Sequence, residues 1–343
     1  MGVRLRARAD AIRLLGVSMS IYDLGPLDLE RVRTYPLATR PSKVGVRQFA
    51  QPPRRGASVA QFLDSLPRIL AAEDFRAVVA AILRARRQRR AILWGIGGHV
   101  IKVGLAPVLI GLLRRGFITG MAVTGAALVH DFEMAMAGRT SEDVEAVLGR
   151  GRFGMAEETG LYLNEMAVGA ARRRIGLGEA AGKLLTNPRL RAAHLEMSVL
   201  AAAYRARVPV TVHLAIGADI PHMHRSADGA ALGAATHHDF RLFCALVRRM
   251  HPGGVYLNWG SAVMLPEVFL KAVSVVRNLG VKLAPITTVN FDFIQHYRPL
   301  QNVVRRPTAS RAGRSGARGY AITGHHEIML PLVAAALVAG DRL

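Results

Sequence analysis

Six times along the chain, a short apolar run ends in a turn of small or polar residues and passes into a stretch with helical spacing. The runs are "AILWGI", "ITGMAVTG", "VPVTVH", "GGVYLNW", "VKLAPITTVNFDF" and "GYAITG". Strands that alternate with helices pair in parallel through crossover connections. Nearly continuous apolar strands fit a sheet covered on both faces. The rhythm predicts an α/β fold: a doubly wound, mostly parallel, Rossmann-like sheet with helices on both faces. Ligands of such sheets bind beyond the C-terminal ends of the strands. Polar residues gather at the predicted strand ends five times: His99, His130-Asp131, Asp219 to His224, Asn258 to Ser261, and Thr287 to Asp292.

The chain has 343 residues, enough for one large α/β domain. Residues 1–56 carry prolines at 26, 36, 41, 52 and 53 and read as an irregular arm. Residues 57–343 read as a single dinucleotide-binding-like domain. Helical spacing begins at Ser58 and runs through Phe62, Leu66, Ile69, Leu70, Phe75, Val78, Val79 and Ile82 to an arginine-rich end. Residues 305–319, "RRPTASRAGRSGARG", read as a mobile loop. The first 18 residues lack a continuous apolar core and make a poor signal peptide, with Met19 as a possible start.

The formal net charge is +22, a value that ordinarily points to nucleic acid or an anionic membrane. Here Lys43, Lys102, Lys183, Lys271 and Lys282 are the lysines, and the rest of the 46 basic residues are arginines. Such one-sided usage reads as codon bias, and the arginines are not interleaved with stacking aromatics. No nucleic-acid module is recognisable, so no specific nucleic-acid partner is expected; a weak acidic partner stays open. The single cysteine, Cys244, excludes a disulfide framework and fits the cytoplasm. The tail "IMLPLVAAALVAG" is too short to span a bilayer, so a soluble, cytoplasmic protein without membrane contact is expected.

No Gly-x-Ser-x-Gly elbow, Walker loop or zinc-protease helix is present. The turns Gly95–Gly98 and Thr124–Ala127 have the small residues that let backbone N–H groups approach an anion at a helix start. Tight strand–helix packing explains them equally well. His130 and Asp131 have the types needed for acid–base work, and also the types favoured in a first helical turn. Asp219, His222 and His224 have spacing that would let a metal bind, although hydrogen bonding or substrate contact is the commoner use of loop histidines. Glu267 reads as a first-turn glutamate.

The order of these motifs resembles the deoxyhypusine synthase family over roughly residues 58–335. Thr124-Gly125-Ala126 stands where that family has a cofactor-binding Thr-Ala-Gly, and His130-Asp131 where it has paired glutamates. "IGADIPHMH" is similar to the segment with the family's substrate aspartate, here Asp219. "TTVNFDF" resembles the family's Asn-Thr-Ala strand and places Thr287, Thr288 and Asp292 near the cofactor. "HHEIMLPLVAAAL" resembles the C-terminal helix, with His325 at a cofactor-side aspartate.

The resemblance implies NAD as cofactor, a small-molecule substrate, transferase chemistry and a homotetramer. It implies cofactor contacts from Gly97, Gly98, Thr124, Gly125, Ala126, Gly260, Ser261, Thr287, Thr288, Asp292 and His325. Catalytic roles would fall to His130, Asp131, Asp219 and His222. The family's catalytic lysine lies in a Trp-Gly-Lys-like segment, and the corresponding 305–319 stretch has neither Trp nor Lys. Its histidine pair is replaced near Pro266-Glu267. The expectation is therefore a divergent enzyme using hydride or proton transfer rather than deoxyhypusine synthesis. The alternatives are a divalent-metal hydrolase or lyase built on the histidines, and a non-catalytic ligand-binding protein.

Overall fold

The computed structural model describes residues 26–309 and 316–341. The reading of Met19 as a start, and the centre of the 305–319 loop, lie outside those residues. The chain divides into two compact units, residues 1–46 and 47–343. The described residues of the first are exposed and include one short 3-10 turn, Leu37–Thr39.

The second unit is built on six strands: β1 (Ile92–Ile96), β2 (Gly120–Thr124), β3 (Val210–His213), β4 (Val255–Trp259), β5 (Thr287–Asp292) and β6 (Arg318–Thr323). Their order is β3-β2-β1-β4-β5-β6, and every neighbouring pair is parallel. This is the doubly wound arrangement expected from the strand–turn–helix rhythm. Its strand order reverses between β1 and β4, which opens a crevice at the C-terminal rim.

Helices α1 (Val59–Ser65) and α2 (Leu70–Arg87) precede β1. The continuous helix expected from Ser58 onward breaks between them. Pro67 disfavours helical backbone at Leu66, which is extended at φ −62° and ψ 153°. Helices α3 (Gly98–Lys102) and α4 (Ala106–Arg114) link β1 to β2, and α5 (Gly125–Ala137) follows β2. A helical insertion then leads to β3: α6 (Val144–Leu148), α7 (Glu157–Arg173), α8 (Leu177–Leu185) and α9 (Val199–Arg205). Helix α10 (Gly229–Arg248) joins β3 to β4, and α11 (Met264–Asn278) joins β4 to β5. After β5 the stretch Tyr297–Pro299 runs into a π-helical turn, Leu300–Arg305; α12 (His326–Gly340) follows β6.

Alternation along the strands feeds two cores, one on each face of the sheet. Ile92, Trp94 and Ile96 point to the face covered by α2, α4 and α12, while Leu93 points to the face covered by α10 and α11. On the first face Trp94 stacks on Trp259 at 5.7 Å, and Trp259 on its register partner Phe291 at 4.0 Å. On the second, Tyr256 stacks on Phe269 at 3.9 Å. Each such ring, fully buried, contributes on the order of 1.5–3 kcal/mol. Cys244 packs in this second core, as its apolar surroundings in the sequence imply. The two covered faces leave only the ends of the strands for polar chemistry.

Candidate functional site

The site builds up around His130, which sits on α5 facing α3. Its ring edge approaches Gly98, where an added Cβ would lie 3.2 Å from His130 Cδ2. Its Nδ1 lies 2.7 Å from Thr140 Oγ1, and the Thr140 hydroxyl donates to Glu133 Oε2 at 2.5 Å. A threonine has one hydroxyl proton, so with that proton on Glu133 its oxygen can only accept from His130. Nδ1 therefore carries the ring proton and Nε2 presents a lone pair. Thr159 donates to the other Glu133 oxygen at 3.2 Å. Burial holds the His130 pKa below the ordinary imidazole value, and the charges of Lys102 and His99 lower it further. Near neutral pH His130 is thus a neutral base of fixed tautomer.

From His130 the rim continues across the crevice. His99, on α3, lies edge-on to His326 with ring centroids 5.5 Å apart, and is tilted against Phe293 at 5.7 Å. His326 opens α12 and is fully buried, with the Phe291 backbone carbonyl against its ring. Its Nε2 is 3.9 Å from Asp292 Oδ1. Burial lowers its pKa, and Asp292 partly opposes that. Trp259 Nε1, also buried, lacks a partner in the same region. His325 stacks on Phe293 at 5.9 Å and is the exposed member of the pair.

Asp219 belongs to the rim but faces a helix. Its Oδ2 accepts from Ala215 N at 2.7 Å, and its carboxylate also takes the backbone N–H of Ala126. Gly125 makes this possible, because a Cβ there would lie 2.4 Å from the carboxylate. Burial raises the Asp219 pKa, and the backbone donors and the nearby His222 pull it back. Thr124 caps the same helix by accepting from Ala127 N at 3.2 Å. The Thr124-Gly125-Ala126 turn, expected to cradle a phosphate, thus already holds the chain's own carboxylate. Both ring nitrogens of His222 are buried and without partners. His224 turns away to Gly154 O at 2.8 Å, so the two histidines do not share a metal-binding geometry. Among the described residues, no group of three or more His, Cys, Asp or Glu could hold a metal ion.

Four other expected site residues do not join this constellation. Asp131 is on α5 beside His130 but is 1% exposed, and its carboxylate serves α9. It accepts from the Ser198 hydroxyl at 2.5 Å, Val199 N at 2.7 Å and Leu200 N at 3.3 Å. One residue of helix is about 100° of rotation, which turns Asp131 inward when His130 faces the rim. Thr287 and Thr288 open β5, so they stand five and four residues, ~17 and ~13 Å, from the rim end at Asp292. Thr288 is buried and donates to Val303 O at 2.6 Å. Ser261 is near the rim, but its buried hydroxyl accepts from Leu265 N to start α11.

Gly97 and Gly260 meet at the switch point. A Cβ on Gly97 would lie 2.0 Å from Gly260 O, and Gly260 has φ +63°, so both positions need glycine. Next to them α3 begins at Gly98 with no side-chain cap. The rim residues not anticipated as site members are Lys102, Glu133, Thr140, His326 and, beyond its strand-end position, His99. Glu133 was legible as the i+3 neighbour of His130 on one helix face. Thr140 reaches His130 only through the tertiary fold.

No protein-family model matches the chain, and no curated protein matches it. Several solved structures are similar to the chain at low identity. A conserved putative LOR/SDH protein from Methanococcus maripaludis S2 has a TM-score of 0.47 and 14% identity, covering 79% of this chain and 70% of that one. A putative deoxyhypusine synthase from Entamoeba histolytica has a TM-score of 0.46 and 10% identity, covering 83% of this chain and 95% of that one. AgrE, in its ternary complex with ornithine and NAD+, has a TM-score of 0.45 and 16% identity over 80% of this chain. This chain spans about a third of AgrE's length, 34%. Among the described residues no helix is long and apolar enough to cross a membrane.

Chemically, the rim offers a neutral histidine base with a fixed free nitrogen, beside the cation of Lys102. The rim carboxylates Glu133 and Asp219 are both engaged by hydroxyl or backbone donors. That balance is opposite to what a polyamine needs.

Proposed function

We propose that the protein is a deoxyhypusine-synthase-like enzyme of divergent activity, which binds NAD at the β1–β4 crevice and moves a proton to or from a small substrate. The observation that carries this reading is the His130–Thr140–Glu133 chain at the edge of the crevice. It presents Nε2 as the proton-accepting atom and holds it there. NAD, when bound, supplies hydride transfer.

The residues at the switch point suit such a cofactor in part. The uncapped backbone N–H groups at Gly98 and the paired glycines Gly97 and Gly260 favour close approach of a phosphate there. The Thr124 turn does not suit it, because Asp219 fills the position an anion would take. The cofactor-side candidates are accordingly Gly97, Gly98, Gly260, Asp292 and His325, and the proton-handling candidates His130 and His222. Burial, with Lys102 adding to it, keeps His130 neutral, and Lys102 favours negative charge on the substrate. A homotetramer is proposed from the family resemblance alone, and sedimentation equilibrium tests it.

Thermal unfolding with NAD tests the cofactor assignment. At 100 times the dissociation constant, about 2.7 kcal/mol of stabilisation is expected. His325→Ala, at an exposed cofactor-side candidate, should weaken NAD binding in calorimetry without lowering the melting temperature of the free protein. Absence of any NAD-dependent shift at millimolar concentration overturns the reading.

A further inference from the structure

Each of the six strands is approached through a basic segment. The chain reaches β1 through "RRQRR" (86–90), β2 through "RRG" (114–116), β3 through "RAR" (205–207) and β4 through "RRMH" (248–251). Lys282 precedes β5, and Arg318 opens β6. None of these segments contains Asp or Glu. Because all strand pairs are parallel, all six segments arrive at one edge of the sheet, opposite the rim that carries His130. Helices end at this edge, and the negative ends of their dipoles attract cations within the last turn. Arg89, Arg90 and Arg207 lie past those helix ends, so the dipole does not account for them. Of the arginines in these segments, Arg86 alone pairs with a carboxylate, Asp341 at 2.5 Å, among the described residues.

The edge also has a cavity. It is an open cleft of about 370 Å³ where the approaches to β2, β1 and β4 meet, its polar lining Arg89, Arg90, Thr119, Arg249 and His251, with no carboxylate. Arg90 Nε is buried and lacks a hydrogen-bond partner. We infer that this edge is a docking face for a nucleic-acid backbone, with one phosphate seated in the Arg89–Arg90–Arg249 cavity. Guanidinium groups match phosphate oxygens in a bidentate fork, which ammonium groups do not. The approaches to β1, β2 and β4 expose no large apolar side chain, and beside β3 and β5 the only such side chains exposed among the described residues are Tyr204 and Leu279, too little apolar surface for a membrane face. The lack of exposed aromatics before β1, β2 and β4 makes this a backbone contact without sequence readout.

Six strands span about 24 Å at ~4.8 Å per spacing, a length matching roughly seven phosphates of one duplex strand at ~3.4 Å each. If about five are neutralised, the slope of log K against log salt is about −4.5. Affinity then falls ~500-fold between ~50 and ~200 mM salt. The test is titration of a fluorescent mixed-sequence duplex across that range, for the wild type, the double variant R89A/R249A and the control R150A/R152A. Both variants remove the same charge, and all four side chains are on exposed residues. R89A/R249A should flatten the slope by about two units and lower affinity at least ~10-fold, whereas R150A/R152A should leave the slope unchanged. Ultraviolet crosslinking of the wild type should place the oligonucleotide on the segments before β1, β2 and β4. No binding at low salt, equal effects of the two variants, crosslinks confined to other surfaces, or binding to phosphatidylserine vesicles without binding to the duplex would each overturn the assignment.

Discussion

Replacing Asp131 separates a structural carboxylate from a catalytic one. Its two oxygens accept three hydrogen bonds at the start of α9 and are sealed from solvent. Asp131→Ala leaves those donors unpaired in the interior and should cost ~3–5 kcal/mol. That is a large part of the ~5–15 kcal/mol that holds a typical domain folded. Burial pushes the Asp131 pKa up to about 6 from 3.8, against the pull of Ser198, Val199 and Leu200. The folded chain therefore holds this proton more tightly than the unfolded chain. The associated stability is complete below the unfolded value and is lost as pH rises through about 6. About two pKa units correspond to roughly 3 kcal/mol. Asp131→Asn cannot titrate, so the stability gap between wild type and this variant should shrink by roughly that amount from acid to neutral pH. Urea unfolding at both pH values measures the gap. A pH-independent gap, or an Asp131→Ala variant that unfolds at the wild-type urea midpoint, refutes the plug at α9.

Thr140→Val removes the hydroxyl that joins His130 to Glu133. It should cost about 1–2 kcal/mol in chemical unfolding and release the Nδ1–H tautomer, seen as a changed imidazole 15N shift. Lys102→Ala removes a cation that lowers the His130 pKa, so the His130 midpoint in an NMR titration should move up; a downward move would contradict the placement of that charge. Gly178→Ala puts a Cβ 2.0 Å from Val210 O, a strand backbone atom, whereas Gly120→Ala meets only leucine methyls, at 3.0 Å and beyond. The first should destabilise by at least ~3 kcal/mol and the second by under ~1.5 kcal/mol, and thermal melts that ranked them the other way would contradict the packing of α8 on β3.

The strands were legible because each combined apolar continuity with a small-residue end, and all six appear where that pattern stands. Their parallel pairing followed from the helices between them. The insertion from α6 to α9 was not read, although Asp143 and Ser198 are ordinary caps that accept from Ala146 N and Ala201 N. Its apolar stripes are alanine- and glycine-rich and give weak periodicity. For the site, strand-end position was a sound guide to His99, His130 and Asp219, but type and position together could not say what each group faces. Asp131 and Asp219 look alike in sequence as acidic neighbours of histidines. One turns inward to a distant helix and the other lies on the turn beside it. His325 and His326 differ by one residue, and that residue decides which ring is exposed and which is buried against Trp259.

A single device recurs through these cases. Asp131 plugs the start of α9, Asp219 that of α5, and Asp239 that of α8, where its Oδ2 accepts from Gly178 N at 3.0 Å and from Val212 N at 2.8 Å. Burial drives the Asp239 pKa up to about 7, above the value of about 6 at Asp131. A helix start is where a doubly wound sheet ordinarily receives an anionic ligand. By filling three of them with its own carboxylates, the chain restricts the places where a ligand's negative charge is favoured. Helix α11 is restricted by Ser261, and α10 by Asp228, which accepts from Ala231 N. Helices α2, α3, α4, α7 and α12 start without side-chain caps, and of these α3 and α12 start at the crevice, at Gly98 and His326. At the β1–β4 switch point the starts of α3 and α12 thus lack the side-chain cap that α5, α9 and α10 carry.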